Sequence, residues 1–199
     1  MASTRDFPLP EGAGISDLVR LLCRAADQPD RLAALSREMR RLLSDCARLD
    51  RLIEADSPPL DENGEALIHE QDGEQDGEQD GLTIYICHFS PHLTIPPHEH
   101  QMDALIGLYE GHEAHQLWQE TADGLARTQE QKIAPGDLLQ LPRNAIHSVR
   151  CLDQRLCKGL HLYLGALSRA DRRFFDAGQP RPISEMRFLP AADKPAAEG

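Results

Sequence analysis

Between Ser16 and Asp56 the apolar residues recur at helical intervals. Leu18, Leu21 and Leu22 make a short stripe, and Leu32, Leu35, Met39, Leu42, Leu43, Cys46, Leu49 and Ile53 make a longer one. Steps of this kind place the apolar side chains along one face of an amphipathic helix. Ser16 is positioned to cap the first helix, and Pro29 suits the first turn of the second. The stripe is expected to pack against the outside of a β layer. A coiled-coil partner surface is the alternative, weakened by short heptads rich in arginine.

After Ser57-Pro58-Pro59 the period disappears, and Gln71-Asp72-Gly73-Glu74 repeats as Gln75-Asp76-Gly77-Glu78 before Gln79-Asp80-Gly81. An acidic repeat with a glycine in every unit has nothing to bury, so a mobile loop or hairpin tip is expected. Calcium binding is the alternative; the Asp spacing lacks the order of an EF-hand loop and its terminal Glu. From Leu82 onward the pattern is that of short strands: Leu82 to Cys87, Ala104 to Tyr109, His115 to Trp118, Leu125 to Ile133, Leu138 to Leu141, Ile146 to Cys151 and Gly159 to Leu164, punctuated by Gly, Pro and Asp. The expected organisation is a helical segment over 1–60 and an acidic loop over 61–81. A small antiparallel barrel over 82–178 and a proline-rich, partly disordered C-terminal extension over 179–199 complete it.

Chemistry enters with His98-Glu99-His100 and His147. On a strand, side chains two residues apart share a face, so His98 and His100 can bind one ion, with His147 as a third ligand. Three neutral imidazoles suit a divalent transition metal and leave coordination positions for substrate and oxygen. With nine histidines in the chain a lone His-x-His pair is unremarkable. Its setting carries the reading: Pro96-Pro97 precedes it, and the apolar run from Ala104 to Tyr109 follows.

The two segments resemble the paired motifs of the cupin superfamily. His98, His100, Ala104 and Gly111 fall on the first motif, and Gly136, Pro142, Asn144, His147 and Cys151 on the second. Asn144 replaces a turn glycine, a conservative change because Asn visits positive φ readily. Ala104 stands where most metal-binding cupins have a ligating Glu. That three-histidine pattern is similar to the thiol dioxygenases, the cysteine dioxygenase-like family and its bacterial members in particular. Gly159-Leu160-His161-Leu162-Tyr163 resembles the family's Ser-x-His-x-Tyr strand, with His161 and Tyr163 matching and Gly159 lacking the hydroxyl. The resemblance spans about residues 82–165. It implies a mainly β, jelly-roll cupin barrel with the N-terminal helices packed outside.

The same resemblance implies Fe(II) at His98, His100 and His147, a small thiol and O2 as substrates, and a sulfinic acid as product. His161 and Tyr163 would be the catalytic pair. Ala104 cannot form the thioether that a cysteine makes with the relay tyrosine in vertebrate cysteine dioxygenases, so Tyr163 is expected to be a free phenol. The strand Leu82 to Cys87 has no arginine to clamp a substrate carboxylate. Arg172 and Arg173 are the candidates for that role, with solvated surface charges as the alternative. Zn, Ni or Mn would serve a non-redox isomerase or lyase instead, and a non-catalytic ligand-sensing barrel is a further alternative. His88, His92 and His112 read as exposed or outlying residues, and His115 as the one closest to the cavity. Cys151 is a further residue whose side chain could face the site.

Composition narrows the rest. A chain of 199 residues holds one core plus an appendage. With 21 basic against 33 acidic residues it lacks the clustered cations of a nucleic-acid surface. No apolar run reaches the length of a membrane span, and the N-terminus has no signal-peptide core. Five cysteines without paired spacing fit a reducing, cytoplasmic setting. The sequence is equally compatible with a monomer and a homodimer.

Overall fold

A computed structural model describes residues 7–72 and 81–191. The expectations for the interior of the acidic repeat, calcium binding included, and for the disordered end of the tail concern residues outside these. Three helices come first: α1 (Ile15–Ala26), α2 (Arg31–Leu43) and α3 (Cys46–Asp56). Strands follow as β1 (Glu65–Gln71), β2 (Leu82–Phe89), β3 (Leu93–Glu99), β4 (Ala104–Glu110), β5 (Glu113–Thr121) and β6 (Gly124–Ile133). The remainder are β7 (Leu138–Leu141), β8 (Ile146–Cys151), β9 (Cys157–Tyr163), β10 (Arg173–Asp176), β11 (Gln179–Pro182) and β12 (Leu189–Pro190). No helix among the described residues is long and apolar enough to cross a membrane.

The long helical stripe is divided in two. Asp45 accepts a hydrogen bond from the Arg48 backbone N–H at 3.0 Å and so starts a new helix at Cys46. At the first helix, Asp17 rather than Ser16 provides the cap. Its carboxylate takes the Gly14 N–H at 3.2 Å, and the helix begins before Ser16. Pro29 lies just outside the second helix, whose N-cap is Asp30.

All strand pairs are antiparallel and form two sheets, one ordered β1-β2-β9-β4-β7 and the other β11-β10-β3-β8-β5-β6. The subsets β2-β9-β4-β7 and β3-β8-β5-β6 are the two four-stranded faces of an eight-stranded jelly roll. The pattern of apolar positions missed β1, which pairs along β2 and so extends the first sheet at its edge. It also missed β3, because Pro96-Pro97 interrupts it, and the short strands β10 to β12. Those last strands close the edge of β3, with β10 and β12 both pairing to it.

Side chains of the first sheet alternate between two cores. Ile84, Ile86, Leu105, Leu160 and Leu162 face the helices and pack with Leu35, Met39, Leu42, Leu49 and Ile53. Cys87, Phe89, Ala104, Ile106, Leu108 and Tyr163 face the barrel interior with Ile95, Leu139, Leu141 and Val149. Burial on both faces explains why these strands read as near-continuous apolar runs. Each fully buried Leu or Ile contributes about 1.5–3 kcal/mol relative to an exposed one. A polar clamp reinforces the layer: Lys158 Nζ lies 3.0 Å from Asp50 and 2.9 Å from both Glu54 and Glu110, pinning α3 to the sheet.

At Gly107 the side chains of α2 lie directly against the sheet backbone. A Cβ there would lie 2.7 Å from Met39 Cε and 2.9 Å from Leu43 Cδ1. Gly107→Val is therefore expected to push α2 outward and to destabilise the fold by about 1–3 kcal/mol, the usual range for overpacking. A urea titration checks this. The midpoint should fall with the slope unchanged, and an unmoved midpoint would show that the helix layer is looser than these distances state.

Candidate metal centre

A bulge in β3 decides which side chains enter the barrel. Ile95 pairs with Val149, and the next pair is His98 with His147. Three steps on β3 therefore answer two on β8, which is one extra residue on β3. It falls at Pro96-Pro97, which cannot donate ladder hydrogen bonds. In a regular strand residue 98 would face away from residue 95. With the bulge, Ile95, His98 and His100 all line the same cavity. Glu99, between the two histidines, faces the other way and is held by Arg173, Nε to Oε1 at 2.6 Å and an Nη to Oε2 at 2.9 Å.

His98, His100 and His147 are buried, and each offers a ring nitrogen, all of these within 4.8 Å of one another. His100 Nε2 and His147 Nε2 are 2.9 Å apart. Metal–nitrogen bonds of about 2.0–2.1 Å at octahedral to tetrahedral angles require nitrogens about 2.8–3.4 Å apart, so the His100–His147 pair already fits and small ring movements complete the set. The chemistry of the donors fits as well. Burial pushes the His98 imidazole down to about 4 and holds His100 and His147 well below the usual histidine range, which keeps all three rings neutral and able to donate a lone pair. His98 Nδ1–H donates to the Pro96 carbonyl at 2.9 Å, leaving Nε2 free to bind. His100 Nδ1 is buried without a hydrogen-bond partner. The set fits a divalent transition metal held by imidazole alone. Ala104, fully buried, lies opposite Tyr163 in the ladder and contributes no carboxylate.

The cavity in front of the histidines has a volume of about 90 Å³ and is lined in part by Tyr85, His161, Tyr163 and Arg172. Alternation on β9 sends Leu160 and Leu162 to the helices and His161 and Tyr163 inward. The Tyr163 hydroxyl lies 3.4 Å from His161 Nδ1, and His161 Nε2 has no partner. That nitrogen sits 2.8 Å from where a Cβ on Gly159 would be, so the missing side chain at 159 is what gives the ring its room. Burial pushes the Tyr163 phenol well above its ordinary value and His161 down to about 3.

Arg172 and Arg173, adjacent in sequence, have different environments. Arg172 lines the cavity, and its buried Nε is unpartnered. Arg173 is engaged by Glu99 and Glu120 and does not line the cavity. Cys151 is buried in the barrel core, donating to the Phe89 carbonyl at 3.2 Å, and is not a lining residue. His112 is an exposed partner of Asp153 at 2.6 Å, and His88 Nε2 contacts the Tyr109 hydroxyl at 2.9 Å. His115 does not line the cavity but stacks behind His147.

Among the ionisable lining residues, Glu65 had no signal in the sequence. Glu65 begins β1, a strand that the pattern of apolar residues did not reveal. Burial pushes its carboxyl up to about 7, Asp61 adds to the rise, and Arg172 opposes it.

No protein-family model matches this chain, and no curated protein matches it by sequence. Among solved structures it is similar to the vicilin from Solanum melongena, at 10% identity and a TM-score of 0.45 over 62% of this chain and 34% of the vicilin. It is also similar to an oxalate oxidase in complex with the substrate analogue glycolate, at 18% identity and a TM-score of 0.41 over 56% of this chain and 57% of that one. An oxalate decarboxylase aligns at 17% identity with a TM-score of 0.42 over 58% of this chain and 29% of the other. This chain thus spans about a third of the vicilin's length. At these identities the likeness concerns the fold, which the strand order already defines.

The buried imidazoles give the metal-free protein a definite pH response. An unfolded histidine titrates near 6.5. In the folded protein His98 titrates at about 4 and His161 at about 3, with His100 and His147 also depressed. Between pH 6.5 and 4 the unfolded chain therefore binds protons that the native state does not. Stability is fully present above pH 6.5 and falls on acidification by about 1.4 kcal/mol per pH unit for each ring. Glu65 acts in the opposite sense, its contribution fading as pH rises from 4.5 to 7, but it is one group against four. Urea midpoints of the metal-free protein should drop steeply from pH 6.5 to 4.5. A flat profile would show that the rings are solvated.

Proposed function

We propose that this protein is a cupin of the thiol dioxygenase kind, which uses Fe(II) to add both atoms of O2 to the sulfur of a small thiol. The reaction R–SH + O2 → R–SO2H balances without an external reductant. The observation that carries the reading is the convergence of three neutral imidazoles in a barrel with no ligating carboxylate at Ala104. A divalent iron held by His98, His100 and His147 would supply the redox couple for oxygen and a cation that keeps a thiol deprotonated near neutral pH.

The chain's own residues supply the rest. A cavity of about 90 Å³ admits only a small substrate. Isoleucine, valine and phenylalanine side chains in its wall limit the access of water. The Tyr163 phenol, kept protonated by burial, lines the cavity and would donate a hydrogen bond to bound oxygen or substrate. His161, neutral for the same reason, orients that phenol through Nδ1. Arg172 carries donors that match a carboxylate, so a thiol bearing a carboxylate is the favoured substrate class.

Protein isolated without oxygen and analysed for metals, then assayed for oxygen consumption against thiols with and without a carboxylate, tests this. Iron in the protein and oxygen uptake matched by sulfinate formation are the expected results. Zinc, nickel or manganese in the site, with no oxygen uptake by any thiol even after iron is supplied, would overturn it in favour of non-redox chemistry.

A further inference from the structure

Behind His147, on the side away from the cavity, two further buried side chains line up. Glu113 and His115 are spaced by one residue on β5, so both face inward, and β5 runs beside β8 with Leu117 opposite His147 and His115 opposite Val149. This diagonal placement stacks the His115 ring on the His147 ring, their planes 2° apart and centroids 5.4 Å apart. His115 Nδ1 lies 3.2 Å from His147 Nδ1, and His115 Nε2 lies 2.9 Å from Glu113 Oε2. Both side chains of the pair are 0% exposed.

Donors and acceptors can be assigned along this chain. A carboxylate only accepts, so His115 Nε2–H donates to Glu113. A ring with its one proton on Nε2 presents a lone pair at Nδ1, and that lone pair takes the Nδ1–H of His147. His147 is then left with its Nε2 lone pair directed toward His100 and the cavity. The opposite tautomer would put a proton on the nitrogen that must bind. Packing alone does not call for such an arrangement, since buried ionic pairs are often replaceable by apolar residues with no loss of stability. Glu113 Oε1 is moreover left without a partner, a cost that an apolar wall would avoid.

We infer that Glu113 and His115 are positioning residues that fix His147 in its Nδ1–H tautomer. Through two hydrogen bonds, the Glu113 carboxylate gives the site the negative charge that Ala104 does not provide. This inference rests on the metal reading. Polarised hydrogen bonds of this kind strengthen a histidine's donation to a cation.

Two substitutions separate charge from tautomer. Glu113→Gln retains an acceptor for His115 but removes the charge, whereas His115→Phe retains a ring and removes the link. Zn²⁺ and Co²⁺ titrated into metal-free protein should bind about 10–100-fold more weakly to each variant than to the wild type. In nitrogen-15 NMR of the metal-free protein, His147 should be a pure Nδ1–H tautomer in wild type and Glu113→Gln and a mixture in His115→Phe. A purely structural pair would lower thermal stability while leaving affinity and tautomer unmoved. Wild-type affinity in both variants, or a wild-type His147 protonated on Nε2, overturns the inference while leaving the metal reading intact. Wild-type protein that takes up neither cation overturns the metal reading itself.

Discussion

Replacing His147 with alanine is expected to abolish stoichiometric metal retention, and His98→Ala to do the same. Each substitution leaves two imidazoles where three converge, and Ala104 offers no carboxylate to take the vacant position. Losing only an outer hydrogen-bond partner of a ligand weakens metal binding about 10–100-fold, so losing a ligand should exceed that range. Metal analysis after dialysis checks the loss, together with a thermal melt in which added metal raises the wild-type midpoint and leaves the variants unmoved. Glu99→Gln is the internal control. Glu99 lies between two ligands in sequence, but its side chain faces Arg173 on the other side of the sheet. That variant should keep its metal while losing stability, because it weakens a half-buried, charge-assisted pair. An alanine variant at 98 or 147 that still binds one metal with unchanged affinity would sink the ligand assignment.

Tyr163→Phe is expected to lower kcat for oxygen consumption by about 10²–10⁴-fold, the range for a positioned proton donor, with metal content unchanged. The hydroxyl's one hydrogen-bond partner among the described residues, His161 Nδ1, is distant at 3.4 Å, so its removal costs the fold little. The ring stays in place between His100, centroids 4.7 Å apart, and Tyr85, centroids 6.2 Å apart. KM should move far less than kcat, because the phenol is assigned to the reacting centre and Arg172 to the substrate's carboxylate. Unchanged kcat with a raised KM would reassign Tyr163 to binding.

Several parts of this arrangement were legible from the chain alone. Residues 98, 100 and 147 stand out because histidines one residue apart on a strand must share a face, and the downstream proline and histidine resemble a known pairing of motifs. The strands around Ala104 to Tyr109 and Gly159 to Leu164 were legible because burial on both faces leaves long apolar runs. β1 was hidden because only Ala66 of its side chains is fully buried, leaving a pattern of mixed polarity. The double proline was legible as the setting of the histidines but not as part of a strand, and it is the bulge there that turns His98 inward. Glu113 gave no signal, and His115 stood out only as the outlying histidine closest to the cavity, since the meaning of the pair comes from a diagonal neighbour on another strand.

The order of apolar and polar residues therefore determined, by itself, that helices precede a β barrel and that three histidines are available to one ion. Periodicity and local spacing are properties of a chain segment and need no partner to be read. Only the tertiary structure decided that Arg172 lines the cavity and Arg173 does not, that Glu65 joins its wall, and that a buried carboxylate stands behind His147. Those facts depend on strand register and on a single inserted residue, each of which exchanges inside for outside without altering composition or pattern.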